Sequence, residues 1–184
     1  MRADIVALAR GWLGTPYHHQ ASLKGVGCDC LGLIRGVYAE ACGQPAETPP
    51  PYSRDWAEAS GRETMIEAAG RHLRAVSPAD AEPGDVLIFR LRPGAMAKHA
   101  GIMSWAPGIR IVSPAPGIRP AVGPLAGPEG SRPVAGPFAG TEEGAVPRMI
   151  HAVEGAPACE VHITPWWRRR IAAVFRFPDP GVTA

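Results

Sequence analysis

The sequence lacks several features that would define common classes of protein. It has no apolar run long enough to cross a lipid bilayer, so we expect no membrane span. Its first residues carry an acid at Asp4 and no long apolar core, so no conventional signal peptide is visible. The formal net charge is only +2, too small to indicate a nucleic-acid partner. These absences predict synthesis in the cytoplasm, and action outside it would need another route, such as release inside a larger particle.

Cysteine is also scarce, with four residues in a chain of 184: Cys28, Cys30, Cys42 and Cys159. A chain of this length with 46% hydrophobic residues can bury a core without disulfide staples. We therefore expect reduced cysteines, one of them functional. Cys30 and Cys42 would lie on one predicted helix, too far apart to form a disulfide.

Glycine and proline are abundant instead, with 22 and 21 residues, and many of them fall between residues 106 and 147. Proline removes backbone donors and glycine adds entropy to the unfolded chain, so we expect no ordinary helix or strand there. We predict one domain over residues 1–184 with a Pro/Gly-rich insertion at 106–147. Apolar side chains within the insertion favour docking onto a partner or onto the domain's own surface.

The hydrophobic pattern predicts helices followed by strands, which is an α+β fold with antiparallel pairing. An amphipathic helix over residues 2–13 should end at Gly14. A second helix should run from Asp29 to about Gly43, and a third should follow a capping box at Ser60–Glu63 and end near His72. The predicted strands are residues 86–89, 100–105, 148–153, 159–164 and 171–177.

The second predicted helix places Cys30 in its first turn, with Asp29 as the capping residue. Free backbone N–H groups and the helix dipole favour negative charge at that position, so the thiol of Cys30 should ionise more easily. Cys30 is therefore the candidate nucleophile. Cys28 is the rival thiol, but it lies outside the helix and we expect it to be structural.

Several motifs occur in an order that resembles the NlpC-type cell-wall cysteine peptidases. Gly27, Asp29, Cys30, Gly32 and Leu33 resemble the nucleophile motif of that family. The other landmarks, which leave the middle of the chain uncovered, are residues 14–17, 83–86, 98–102 and 149–152. The resemblance implies a papain-like fold, in which the nucleophile opens a helix packed on an antiparallel sheet. In the family, a tight turn replaces the long insertion found here.

The resemblance also implies roles for individual residues. Cys30 would be the nucleophile, His99 the general base and His151 the residue that orients His99. The Cys30 N–H would stabilise the oxyanion with help from Tyr17, and Asp29 would lie at the same substrate-facing end of the helix. His162, which alternates with apolar residues on the last-but-one predicted strand, is an alternative to His151. No cofactor is needed for this chemistry.

Two other groups of residues have competing interpretations. His18, His19, Cys28 and Cys30 offer ligands that suit zinc, but their spacing matches no structural zinc pattern and a ligated Cys30 could not act as a nucleophile. We therefore expect no metal. Residues 166–170, two tryptophans and three arginines, form either a contact surface for carbohydrate, anionic polymer or protein, or a solvated turn.

The resemblance implies hydrolysis of peptidoglycan stem peptides, between D-glutamate and the diamino acid. The insertion, together with the lack of a visible signal peptide or wall-binding repeat, is similar to the phage-tail and gene-transfer-agent branch of the family. The partners would then be peptidoglycan and the hub or tip proteins of a phage-like tail, and the site of action the periplasm or cell wall. A non-catalytic tail module is the competing interpretation, and an acyltransferase or deamidase with the same triad is a further one.

Overall fold

A computed structural model describes residues 4–53, 61–106 and 146–178. The predicted insertion at 106–147 lies almost entirely outside these residues. The elements within them are, in chain order, α1 (Ile5–Arg10), β1 (Ser22–Leu23), β2 (Gly27–Cys28), α2 (Cys30–Cys42), α3 (Thr64–His72), β3 (Arg74–Val76), β4 (Val86–Phe89), β5 (His99–Trp105), β6 (Arg148–Val153), β7 (Ala156–His162), α4 (Pro165–Arg168) and β8 (Ile171–Arg176).

The main sheet has the strand order β3-β8-β4-β5-β6-β7 among the described residues, and every neighbouring pair is antiparallel. This confirms the predicted α+β class and strand pairing. Trp105 at the end of β5 lies opposite Arg148 at the start of β6, so the chain leaves the sheet and returns to it at adjacent points. The strand predicted at 159–164 is β7, which begins earlier, at Ala156, because it pairs with β6 as far as Val153.

Helix α2 has the predicted limits, whereas α1 is shorter than predicted. Gly43 ends α2 with a φ of 70°, the left-handed conformation that glycine adopts without a steric penalty. Helix α1 ends at Arg10 rather than before Gly14, and residues 11–14 form a turn. Trp12 in this turn is still buried, and its Nε1 donates to Glu40 Oε1 of α2 at 2.7 Å. The hydrophobic spacing therefore predicted burial correctly but not the helix end.

The predicted capping box before α3 is wrong. The helix begins at Thr64, and Glu63 is its N-cap residue without a side-chain capping bond. The Glu63 carboxylate instead accepts from the Ala97 N–H at 2.9 Å and pairs with Arg90. The local pattern assigned this carboxylate to the helix end, but in the fold it forms an ion pair with a residue distant in the sequence. Ser60, the other half of the predicted box, lies outside the described residues.

Both faces of the sheet carry buried apolar side chains. One face packs against α1, α2 and α3 and includes Ile88, Ala100, Ile102 and Ile150. The other includes Leu87, Phe89, Met103 and Met149. A buried ion pair between Asp85 and Arg176, with nitrogen–oxygen distances of 2.7 and 2.8 Å, ties the start of β4 to the end of β8. In the part of the chain that is described, no helix is long and apolar enough to span a membrane.

Candidate active site

Asp29 organises the N-terminal end of α2. Its Oδ1 accepts from the Gly32 N–H at 2.7 Å, which confirms the predicted cap. Its Oδ2 accepts from the Gln20 N–H at 2.7 Å and from the hydroxyl of Tyr52. The Asp29 side chain is only 4% exposed. Its hydrogen bonds with Gln20 and Tyr52 connect two loops to the start of the helix. Its role toward a substrate remains a prediction.

Gly32 lets one of these loops approach the helix closely. A Cβ at this position would lie 1.8 Å from the carbonyl oxygen of Ala21. Because that oxygen belongs to the backbone, rotation of a side chain could not relieve the clash. The Ser22 hydroxyl donates to the Gly32 carbonyl at 2.6 Å on the same side. The glycine two residues after Cys30 is therefore a packing requirement of this end of the helix.

Cys30 lies in the first turn of α2 and is half-buried. Burial raises its pKa to about 12, and the neighbouring Asp29 carboxylate adds to the rise. Backbone N–H groups of Ala100, Leu31 and Cys30 itself act in the opposite direction, because they hydrogen-bond to the thiolate. The prediction that the helix start makes this thiol easier to ionise is thus wrong for the free protein, since desolvation outweighs the helix end.

The start of α2 lies near the start of β5. Leu31, next to Cys30 on the helix, and Ala100, next to His99 on the strand, line the same cavity. The helix start and the strand start thus face one another.

His99 and His151 form a buried pair. The Nε2 atom of His99 lies 3.0 Å from the Nδ1 atom of His151, although the two residues are 52 positions apart in the chain. They meet because β5 and β6 are neighbours. Gly101 leaves room for the contact, since a Cβ there would lie 3.3 Å from the Cβ of His151 and 3.1 Å from the carbonyl oxygen of Ile150.

Aromatic rings enclose this histidine pair. The ring of Trp167 in α4 lies 5.4 Å from that of His99 and 5.5 Å from that of His151, and Phe89 lies 5.9 Å from His99. The pKa of His99 is lowered to about 3, mainly by burial and to a smaller extent by the neighbouring His151. Burial lowers the pKa of His151 to about 4. Both imidazoles are therefore neutral at physiological pH.

Trp167 is a site residue that the sequence did not reveal. Residues 166–170 predicted a contact surface or a solvated turn, but Pro165 begins the short helix α4, which turns Trp167 inward onto the histidines. Trp166 instead lies against Arg170, whose guanidinium carbon is 3.9 Å from the ring centroid. The two adjacent tryptophans thus have different environments, a distinction that sequence composition does not carry.

Tyr52 is a second residue that the sequence did not single out. Its hydroxyl donates to Asp29, and its carbonyl accepts from the Gln20 side chain at 2.7 Å and lies 2.8 Å from Nε2 of His19. Burial is the largest cause that raises the pKa of Tyr52 above its usual range. Asp29 and then Cys30 add to the rise, while Arg35 opposes it. Through its hydroxyl, Tyr52 joins its loop to the Asp29 cap of α2.

The other predicted residues have varied positions. Tyr17 is half-buried, and its backbone pairs with Cys28, two residues before Cys30. Cys28 is fully buried, and burial followed by Asp29 raises its pKa to about 11. All four cysteines are free, as predicted. His18 is exposed, and so is His162, which lies on β7 opposite Arg148 rather than on the His99 ring.

Loss of the Trp167 ring should weaken both the fold and the enclosure of the histidines. For Trp167→Ala we expect the free energy of unfolding to fall by about 2 kcal/mol, less than for a fully buried tryptophan. We also expect the pKa of His99 to move toward 6.5, because water would reach the pair. Chemical denaturation and imidazole NMR titration measure the two effects. Trp166→Ala is the matched control, and an equal shift of the His99 pKa there would contradict this assignment.

Acid should destabilise the protein through the same pair. An unfolded histidine titrates near about 6.5, whereas burial keeps His99 and His151 neutral in the folded state well below that pH. Their contribution to stability is therefore complete above about pH 6.5 and is lost as the pH falls through the region below it, because only the unfolded chain gains protons. At pH 5 the expected loss is about 2 kcal/mol per histidine.

Urea unfolding of the wild type and His151→Asn at pH 7.5 and pH 5 measures this loss. Asparagine can still hydrogen-bond to His99, so the variant removes one titrating imidazole while keeping a polar partner for the other. We expect the variant to lose about 2 kcal/mol less than the wild type between the two pH values. Equal losses would show that His151 is not held neutral by the fold.

A helix-borne cysteine facing a histidine-bearing antiparallel sheet defines the class of papain-like α+β domains. The chain belongs to the NlpC/P60 family, whose model matches residues 14–176. Among solved structures, the NlpC/p60 domain of the peptidoglycan hydrolase SagA is similar, at 19% identity, a TM-score of 0.51 and coverage of 95% of this chain and 97% of that one.

A second similar structure comes from Staphylococcus aureus subsp. aureus Mu50 and is described as similar to a lipoprotein of the NLP/P60 family. It is 18% identical, with a TM-score of 0.50, and the match covers 95% of this chain but 40% of that one. At this level of identity, both likenesses show the fold. No curated protein matches the sequence.

Proposed function

We propose that this protein is a cysteine peptidase that hydrolyses amide bonds in peptidoglycan stem peptides, between D-glutamate and the diamino acid. The observation that carries the proposal is the 3.0 Å contact between His99 Nε2 and His151 Nδ1, beside the helix start that holds Cys30. Family membership and the similarity to the SagA domain support the choice of substrate.

In this mechanism, the neutral thiol of Cys30 passes its proton to Nδ1 of His99 as the sulfur attacks the carbonyl carbon. For Nδ1 to accept, His99 must carry its own proton on Nε2 and donate it to Nδ1 of His151, which fixes both tautomers. The Cys30 N–H, with Tyr17, stabilises the oxyanion. The His99 imidazolium then protonates the leaving amine, and water hydrolyses the thioester to release the carboxylic acid and restore the thiol.

The raised pKa of Cys30 and the lowered pKa of His99 favour a neutral thiol–imidazole pair over a preformed ion pair. Proton transfer and attack are therefore coupled in the proposed first step. A neutral Cys30 in the free protein would also be slow to react with alkylating agents at neutral pH.

Digestion of purified sacculi tests the proposal. We expect soluble fragments with a new glutamyl carboxylate and a new amine on the diamino acid, detected by mass spectrometry. Transfer to an acceptor would add the acceptor's mass and indicate an acyltransferase, and loss of ammonia would indicate a deamidase. Sacculi that remain unchanged would support the non-catalytic tail module instead.

We also propose that a phage-like tail carries the protein to the periplasm or cell wall, where it opens the wall locally during DNA delivery. The Pro/Gly-rich insertion at 106–147, which resembles the tail-associated branch of the family, supports this proposal. The partners would be hub or tip proteins of the tail. Release of the protein with purified particles, and its binding to recombinant hub protein, test the idea; free protein with no affinity for either would contradict it.

A further inference from the structure

Arg35 lies on α2, five positions after Cys30. Five residues of helix advance by about 7.5 Å along the axis, less than the length of two peptide units plus an arginine side chain. Arg35 also follows Leu31 by four positions, so the two side chains share a helix face. The axial separation therefore allows an extended peptide bound at Cys30 to reach Arg35, although the two side chains lie on different faces of α2.

The guanidinium of Arg35 has no ion pair and no hydrogen bond with any residue the structure describes. Its Nε atom is inaccessible and unpartnered, although the side chain as a whole is only half-buried. Arg71, Arg90 and Arg176, in contrast, each pair with a carboxylate. A partly buried donor without an acceptor is costly, so Arg35 has the properties of a side chain that awaits an anion.

Arg35 lines a cavity of about 80 Å³ between α2, α3 and the sheet. The cavity wall includes Leu31, next to Cys30, and Ala100, next to His99. Most of the wall is apolar, and the carboxylate on it, Glu47, already pairs with Arg71.

We propose that Arg35 binds a carboxylate of an acidic peptide substrate beside the cleaved amide, while the apolar wall receives the aliphatic part of the same residue. This inference rests on the proposed function and makes it more specific. A guanidinium binds a carboxylate through two parallel charge-assisted hydrogen bonds, which an amide cannot replace. A stem peptide offers two such groups, the free carboxylate of the glutamyl residue and that of the diamino acid.

Three synthetic stem peptides distinguish these sources: one with both carboxylates free, one with the glutamyl carboxylate amidated, and one with the diamino acid carboxylate amidated. We expect amidation of the bound carboxylate to lower kcat/KM of the wild type by about 10- to 100-fold, mainly through KM. Arg35→Gln should remove this preference, so that its kcat/KM becomes equal for the free and the amidated peptides. Arg35→Lys should restore part of the preference, because lysine keeps the positive charge but cannot form the two parallel hydrogen bonds of a guanidinium.

Arg74→Gln, which changes an exposed arginine on β3, is the matched control and should keep the full preference. Equal cleavage of all three peptides by the wild type, or an unchanged preference in Arg35→Gln, would overturn the inference while leaving the proposed function intact. Calorimetric titration of Cys30→Ala with the same peptides measures the preference without hydrolysis. A protein that binds the free carboxylate through Arg35 but cleaves none of the peptides would retain the inference and refute the peptidase.

Discussion

Cys30→Ala should lower kcat/KM for stem-peptide hydrolysis by about 10⁴-fold or more, because loss of a nucleophile removes the acyl-enzyme route altogether. The fold should persist. Alanine keeps the Cβ and the good helix propensity at the first turn, and the cap from Asp29 to Gly32 does not involve the sulfur. Cys30 as a residue is only half-buried and packs at the margin of the core, so we expect the free energy of unfolding to change by about 1 kcal/mol or less.

Release of peptides from sacculi and thermal unfolding, measured on the same preparation, check both parts of this prediction. Cys42→Ala is the matched control, since Cys42 is a half-buried cysteine at the other end of α2, roughly 18 Å from Cys30 along the helix. It should keep full activity. An active Cys30→Ala paired with an inactive Cys28→Ala would transfer the nucleophile to Cys28.

His99→Gln should lower kcat by about 10³-fold and leave KM nearly unchanged. A glutamine side chain can still hydrogen-bond to His151, but it cannot accept a proton from the Cys30 thiol or return one to the leaving amine. The loss falls on kcat because His99 acts on the reacting atoms rather than on the flanking parts of the substrate.

Steady-state kinetics with a synthetic stem peptide separate kcat from KM. His162→Gln is the control: this histidine is exposed on β7, and its replacement should leave both constants unchanged. A loss of activity in His162→Gln that equals the loss in His99→Gln would contradict the assignment of the base. Retention of kcat in His99→Gln would do the same.

The motifs and periodicity of the sequence predicted the fold class, the limits of α2 and the strands on both sides of the insertion. These features depend on local signals, namely a cap at Asp29, a glycine stop at Gly43 and apolar runs such as residues 86–89. The predictions failed where residues distant in the sequence determine a side chain's partner or a strand's length. Glu63 serves Arg90 and Ala97 instead of the helix end, and β7 takes its length from pairing with β6.

The electrostatic character of the site could not be predicted from sequence. The position of Cys30 at a helix start indicated a lowered pKa, but its value depends on how much water reaches the sulfur, which only packing determines. The ring of Trp167 and the hydroxyl of Tyr52 come from segments far along the chain, with no spacing that links them to Cys30. Arg35 lies on α2 together with Cys30, yet the sequence does not show that no described carboxylate pairs with it, because that depends on its neighbours in the fold.

Trp105 and Arg148 lie opposite each other on β5 and β6. The geometry of the paired histidines is therefore independent of the length of the segment between these two residues. A segment of any length that begins and ends on paired strands leaves the hydrogen bonds between those strands in place, and with them the two imidazoles. Doubling the length of such a segment costs only about 0.6 kcal/mol of loop-closure entropy. The length and composition of that segment can therefore change without displacing the histidine pair.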